Sequence, residues 1–209
     1  MGIDLKAIQD VIDVAKRLDD KGLVNAFEGN VSIKRDGYLY ITPSGKSKVT
    51  LTPEKICVFD EEGNQVSGIY EPSSELKMHS AVYGMRDNIG GVVHAHPAFL
   101  TAYARCGKPR ESKCHAEMIW DHKVIEVAPY GRPGSDEIYA GVKPILDKGR
   151  DLLLLANHGV LSVGEDVFAA LNKLESVENA AKILTIAKFV GDGKYADLPD
   201  EEVQILLSL

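Results

Sequence analysis

Gly90-Gly91-Val92-Val93-His94-Ala95-His96-Pro97 reads as an apolar strand that carries two histidines to its end. Strand side chains alternate, so His94 and His96 point to one face, and Pro97 stops the strand just beyond them. Two imidazoles converging there can share a metal ion, because neutral imidazole is a preferred zinc ligand. A second apolar run, Leu152-Leu153-Leu154-Leu155, leads likewise into Asn157-His158-Gly159. Three histidines at the ends of two strands point to a catalytic metal site with an open coordination position, since a closed structural zinc site wants four ligands, usually with cysteines.

Outward from these strands the chain alternates helical and extended patterns. Residues 5–20 keep an i, i+3, i+4 apolar spacing behind Asp4, a natural cap, and Gly22 suits the exit. Val31–Lys34 and Tyr38–Thr42 form a hairpin pattern around Asp36-Gly37, and Ile56–Phe59 with Gln65–Gly68 form another. A helix is predicted from Ser73 to about Met85, capped by Ser73 or Ser74. Strands are predicted at 91–96, 123–128, 152–156 and 160–163. Ser135 is placed to cap a helix reaching Leu146, which Pro144 can shorten or kink. Glu165 to Val190 is helical, and one short helix is predicted near Pro199. No repeat, low-complexity segment or linker interrupts this order. One mixed sheet flanked by helices, in a single domain over 1–209, accounts for it.

The 209 residues suffice for a full core. A net charge of −7 argues against nucleic acid or an anionic membrane as partner, although one local cationic pocket for a phosphate is compatible with it. Cys57, Cys106 and Cys114 are odd in number and lack a C-x-x-C pair, as expected of reduced thiols in the cytoplasm. The charged N-terminus argues against a signal peptide, and no apolar run approaches the length of a membrane span.

Other segments carry donors suited to an anion. In Glu71-Pro72-Ser73-Ser74-Glu75, the serines and the acid at a helix start have a plain reading as a cap. They equally offer hydroxyls and free N–H groups to a phosphate, with Glu75 facing the metal as ligand or proton shuttle. Glu28-Gly29-Asn30-Val31-Ser32 and Thr42-Pro43-Ser44-Gly45-Lys46 match neither a P-loop nor a dinucleotide fingerprint. Both combine backbone freedom with small donors, which suits close approach to a phosphate. His79 and His122, isolated in helix and loop, receive no role.

The ordered set Gly-Asn-x-Ser, Thr-Pro-Ser-Gly, Pro-Ser-Ser-Glu, His-x-His-Pro and Asn-His-Gly resembles the class II aldolase/adducin family, and within it the fuculose-1-phosphate aldolases. The resemblance runs from the first helix to about residue 190. It implies a three-layer α/β/α fold around a mainly antiparallel mixed sheet. It implies zinc on His94, His96 and His158, with Glu75 binding zinc and shuttling protons. It places the substrate phosphate on Asn30, Ser44, Gly45, Ser73 and Ser74. The implied reaction is reversible cleavage of a phosphorylated ketose to dihydroxyacetone phosphate and an aldehyde through a zinc-bound enediolate, in a homotetramer with sites at subunit interfaces.

The chain departs from that pattern about fifteen residues before Ala128-Pro129-Tyr130, where fuculose aldolases carry an interface tyrosine. Here the region reads Cys114-His115-Ala116-Glu117-Met118-Ile119-Trp120, so His115 or Glu117 is the candidate acid/base. The related ribulose-phosphate 4-epimerases have His-Ala-Asp there but an aspartate where this chain has Glu75, which favours the aldolase. A C-terminal tyrosine of some relatives is also missing, and Tyr195 is a weak substitute. An epimerase or a sugar-acid-phosphate decarboxylase is the alternative. A non-catalytic adducin-like scaffold would be expected to have lost the ligand set, which is complete here.

Overall fold

The structure is a computed structural model that describes residues 2–107, 110, 111, 113 and 124–208. Helix α1 (Leu5–Asp20) opens on Asp4, whose carboxylate accepts the Lys6 N–H at 2.8 Å. Its apolar stripe, from Ala7 through Val11 and Ala15 to Leu18, is buried. Strands β1 (Asn30–Arg35) and β2 (Tyr38–Ile41) form the expected hairpin. Asp36 and Gly37 both take positive φ, 51° and 81°, as a two-residue hairpin turn requires. Strands β3 (Cys57–Phe59) and β4 (Gln65–Ser67) form the second hairpin.

Helix α2 (Leu76–Tyr83) is followed by β5 (Gly91–Ala95), α3 (Ala98–Cys106), the short β6 (Arg110–Glu111) and β7 (Val124–Ala128). Helix α4 (Asp136–Leu146), β8 (Leu152–Leu155), β9 (Gly159–Gly164), α5 (Val167–Val190) and α6 (Asp200–Leu206) complete the order. Helix α4 runs through Pro144 to Leu146.

Among the described residues, nine strands make one sheet in the order β4-β3-β2-β1-β5-β9-β8-β7-β6. Every pairing is antiparallel except β7 with β8. Alternation sorts the core into two layers. Val31, Val93, Ala95, Leu152 and Leu154 pack under α1, α3 and α5, while Val92, Leu153, Leu155, Leu161 and Val163 pack under α2 and α4. This is the α/β/α arrangement expected from the motifs. No helix among the described residues is long and apolar enough to cross a membrane.

Three local expectations change. Residues 98–106 form a helix where none was read, and its N-terminus is closed from a distance. The Glu178 carboxylate of α5 accepts the N–H groups of Phe99 and Leu100 at 2.9 and 2.8 Å. Helix α2 starts at Leu76, with Glu75 in the cap position, because the Ser73 N–H donates to the Thr42 carbonyl and keeps Ser73 in the loop. Ser135 stands at the N-cap of α4 as expected, but its hydroxyl donates to the Arg132 carbonyl at 2.7 Å rather than accepting a helix N–H.

Candidate active site

Strand β5 lies between β1 and β9, so the C-terminal end of β5 meets the start of both neighbours. In the register, Asn30 stands opposite His94, and His94 stands opposite Leu161. The turn from β8 to β9 holds Asn157 at φ 54°, a conformation asparagine tolerates better than most residues, and it delivers His158 beside the pair. Gly159 leaves the room: a Cβ there would lie 2.5 Å from both the Ala95 carbonyl oxygen and the His96 ring. The three rings pack with centroids 4.6 to 5.1 Å apart, and one ligating atom from each lies within 4.8 Å of the others.

Hydrogen bonds fix how these rings present themselves. His94 Nδ1 lies 2.8 Å from the Val160 carbonyl, which can only accept, so Nδ1 carries the proton and Nε2 offers a lone pair. His96 Nδ1 faces the Glu28 carboxylate at 3.3 Å, which leaves its Nε2 likewise bare. The two Nε2 atoms are 3.0 Å apart, and His94 Nε2 is also 3.3 Å from Glu75 Oε2. Lone pairs and a carboxylate directed at one another repel unless a cation lies among them. Carbonyl and carboxylate partners on the far ring nitrogens are what metal-binding imidazoles use to fix their tautomer. Burial, reinforced by His94, depresses His158 to about 4, and burial likewise lowers His96, so both are neutral and available near pH 7. The buried Glu75 Oε1 and His158 Nδ1 have no hydrogen-bond partner among the described residues. This donor set fits a divalent metal, and His94, His96 and His158 could hold one.

Glu75 is buried, and burial works to raise its pKa. The His94 imidazole and then the Asn30 amide outweigh that effect and hold the carboxyl below its usual range, as a proton acceptor. Asn30 Nδ2 donates to Glu75 Oε2 at 2.7 Å, so its amide also serves the carboxylate, with one amide hydrogen left over.

The two serine-containing loops are joined to each other. A bridge pairs Pro43 with Pro72; the Ser44 N–H donates to the Glu71 carbonyl at 3.0 Å, and the Ser73 N–H donates to that of Thr42 at 3.1 Å. Gly45 takes φ 59°, a conformation that favours glycine. Ser44, Gly45, Ser73 and Ser74 therefore line one cleft of about 200 Å³ with Glu75 and the three histidines. A larger cavity, about 450 Å³ between Tyr38, Phe59 and Tyr83, contains none of these ligating groups.

The cleft also holds a residue that no sequence motif marked. Lys48 is 1% exposed, and its ammonium reaches the Phe27 carbonyl at a marginal 3.5 Å. Burial lowers it to about 8. His79, assigned no role from sequence, is buried against Asn30 and stands one helical turn after Glu75. His115 and Glu117 lie outside the described residues.

Residues 9–185 match the family model described as the Class II Aldolase and Adducin N-terminal domain. The chain belongs to the class II aldolase and adducin family. It is similar to an L-fuculose phosphate aldolase of Methanococcus maripaludis, 35% identical over 84% of this chain and 94% of that one. A 3-oxo-tetronate 4-phosphate decarboxylase of Haemophilus influenzae is 31% identical over 86% of this chain and 87% of its own length. Among solved structures, an L-fuculose 1-phosphate aldolase superposes with a TM-score of 0.87 at 33% identity, covering 99% of this chain and 96% of that one. The chain is an enzyme of the lyase class, with a sheet and flanking helices matching those of the solved class II aldolase.

Proposed function

We propose that this protein is a zinc-dependent aldolase that reversibly cleaves a phosphorylated ketose into dihydroxyacetone phosphate and an aldehyde. The observation that carries the reading is the convergence of bare His94 and His96 Nε2 atoms and the Glu75 carboxylate in one cleft with the two joined serine loops. His94, His96 and His158 would hold the zinc, with Glu75 as a further ligand before substrate binds. A zinc ion there supplies Lewis-acid polarisation of the substrate carbonyl.

The protein's own groups do the rest. Ser44, Gly45, Ser73 and Ser74 bind the phosphate, joined by the spare amide hydrogen of Asn30, and the buried Lys48 supplies positive charge in a chain that is acidic overall. Phosphate binding far from the reacting bond fixes the substrate's position. A base removes the proton of the hydroxyl on the carbon that leaves. The carbon–carbon bond then breaks, the aldehyde departs, and the electron pair stays on the three-carbon fragment. In the synthetic direction the ionised Glu75 removes the proton from that fragment's carbon; in cleavage it takes a proton from solvent and returns it there, while the hydroxyl proton leaves on the base. His115 or Glu117 is our candidate for the hydroxyl base.

Phe27 is 64% exposed at the mouth of the cleft, which supports a second copy covering it in a homotetramer with interfacial sites. The free thiols Cys57 and Cys106 support a cytoplasmic address.

The test is metal analysis followed by a screen of ketose 1- and 5-phosphates. Bound zinc with release of dihydroxyacetone phosphate is the expected result. Interconversion of pentulose phosphates without cleavage would replace the reading with an epimerase. Carbon dioxide from an oxo-acid phosphate would replace it with a decarboxylase, the reading that the Haemophilus influenzae relative favours. No metal and no turnover would leave a scaffold.

A further inference from the structure

Behind Glu75 a line of buried polar side chains runs away from the cleft. Asn30 Nδ2 donates to Glu75 at 2.7 Å, and Asn30 Oδ1 lies 2.5 Å from His79 Nε2. His79 Nδ1 lies 2.6 Å from Ser32 Oγ, which is 2.8 Å from the Tyr83 hydroxyl. Asn30, Ser32, Glu75, His79 and Tyr83 are all buried, the histidine and the serine completely.

The direction of each bond follows from its last member. An ionised carboxylate only accepts, so Asn30 must turn its NH₂ toward Glu75 and its carbonyl toward His79. That carbonyl only accepts, so His79 must hold its proton on Nε2. A neutral ring with Nε2–H has a bare Nδ1, so Ser32 must donate to it. The Ser32 hydrogen is then committed, and Tyr83 must donate to the Ser32 oxygen. Every proton therefore points toward Glu75. The arrangement needs His79 neutral, the form that complete burial between one acceptor and one donor favours.

We propose that His79 is a positioning residue for Glu75: its Nε2–H locks the Asn30 amide in the orientation that aims the carboxylate into the cleft. The alternative, a core histidine satisfied where it happens to lie, has no reason to present one tautomer to one amide. Without the lock, Asn30 can flip and set its carbonyl against the carboxylate, a repulsive contact in a buried place. The His79 backbone N–H donates to the Glu75 carbonyl at 3.1 Å, as any residue one turn on would, whereas its ring is hydrogen-bonded toward Glu75 through Asn30. The inference rests on Glu75 being the proton-transfer group.

The experiment compares His79→Gln, His79→Asn, Ser32→Ala and Glu75→Gln in the zinc-loaded full-length protein, with ¹⁵N-histidine NMR on the metal-free wild type. Glutamine places its NH₂ near the Nε2 position and keeps the donor to Asn30; asparagine is too short to reach. His79→Asn is expected to lower kcat by about 10- to 100-fold, the usual cost of losing an outer-shell partner, with zinc stoichiometry unchanged and KM raised by a smaller factor, because the Asn30 amide also reaches the phosphate. His79→Gln is expected to recover most of that loss, and Ser32→Ala to lower kcat a few-fold. NMR is expected to show the neutral Nε2–H tautomer of His79 from pH 5 to 8. Wild-type kcat in folded His79→Asn and Ser32→Ala, or an Nδ1–H tautomer, would overturn the proposal, the tautomer test deciding if His79→Asn fails to fold. Wild-type turnover in Glu75→Gln would instead overturn the assignment of Glu75 on which it rests.

Discussion

Asn30 of β1 stands directly opposite His94 of β5, and its amide reaches across to Glu75 at the head of α2. One antiparallel register thus relates an imidazole of the histidine cluster to a buried carboxylate held by a third element. A slip of one residue would turn Asn30 to the opposite face of the sheet and part the two.

Replacing His94 by Ala is expected to abolish both metal binding and turnover, because it removes the ring whose Nε2 faces both His96 and Glu75. Metal analysis of the purified variant checks this, and full zinc stoichiometry would remove His94 from the ligand set.

Glu75→Gln is expected to fold, keep the serine loops intact and lose turnover by about 10²- to 10⁴-fold, the range for removing an acid/base group. Exchange of the dihydroxyacetone phosphate C–H with solvent deuterium should fall with it. Exchange at the wild-type rate would assign that proton to another residue.

Lys48→Met is expected to separate binding from stability. The ammonium is charged below about pH 8, so wild-type kcat/KM for a phosphorylated substrate should fall as pH rises through that value, and the variant should lack this limb and show a raised KM. The stability effect has the opposite sense. Between about 8 and 10.5 the unfolded chain keeps a proton that the folded chain releases, so the penalty of burying the charge is present below 8 and disappears as pH rises across that window. The methionine variant should therefore melt higher than wild type at pH 7. A lower melting temperature with unchanged KM would assign Lys48 to the core.

Gly159→Ala is expected to weaken metal binding at least tenfold and to destabilise the fold by about 1–3 kcal/mol, the usual cost of overpacking. The added methyl meets the Ala95 carbonyl and the His96 ring at 2.5 Å. Zinc titration and thermal melting together check it; a variant with normal zinc affinity would mean that the rings shift freely.

Much of this was legible in the order of residues, and the rest was hidden for identifiable reasons. Helix α1 and the Asp36-Gly37 hairpin carry their periodicity and turn chemistry locally, so pattern alone found them. Helix α3 escaped because the acceptor for its first N–H groups, Glu178, lies about eighty positions away. The histidines of β5 and of the β8–β9 turn were visible because each follows an apolar run. Lys48 was not, since nothing in Gly45-Lys46-Ser47-Lys48 says which lysine the fold buries. His79 looked isolated because Ser32 and Asn30, its partners, lie 47 and 49 residues earlier.

The bridge between Pro43 and Pro72 ties the Ser44 loop to the segment that leads into Glu75. On the proposed reading, the anion seat and the proton-transfer carboxylate therefore belong to one backbone-paired unit, and that pairing sets the distance between them. With the proposed substrate, such a span would work as a ruler, counting the carbons between a phosphate and the carbon that gains or loses a proton. Ketoses differing far from the phosphate are then expected to share this cleft, whereas one extra carbon next to the phosphate is expected to put the reacting centre out of register.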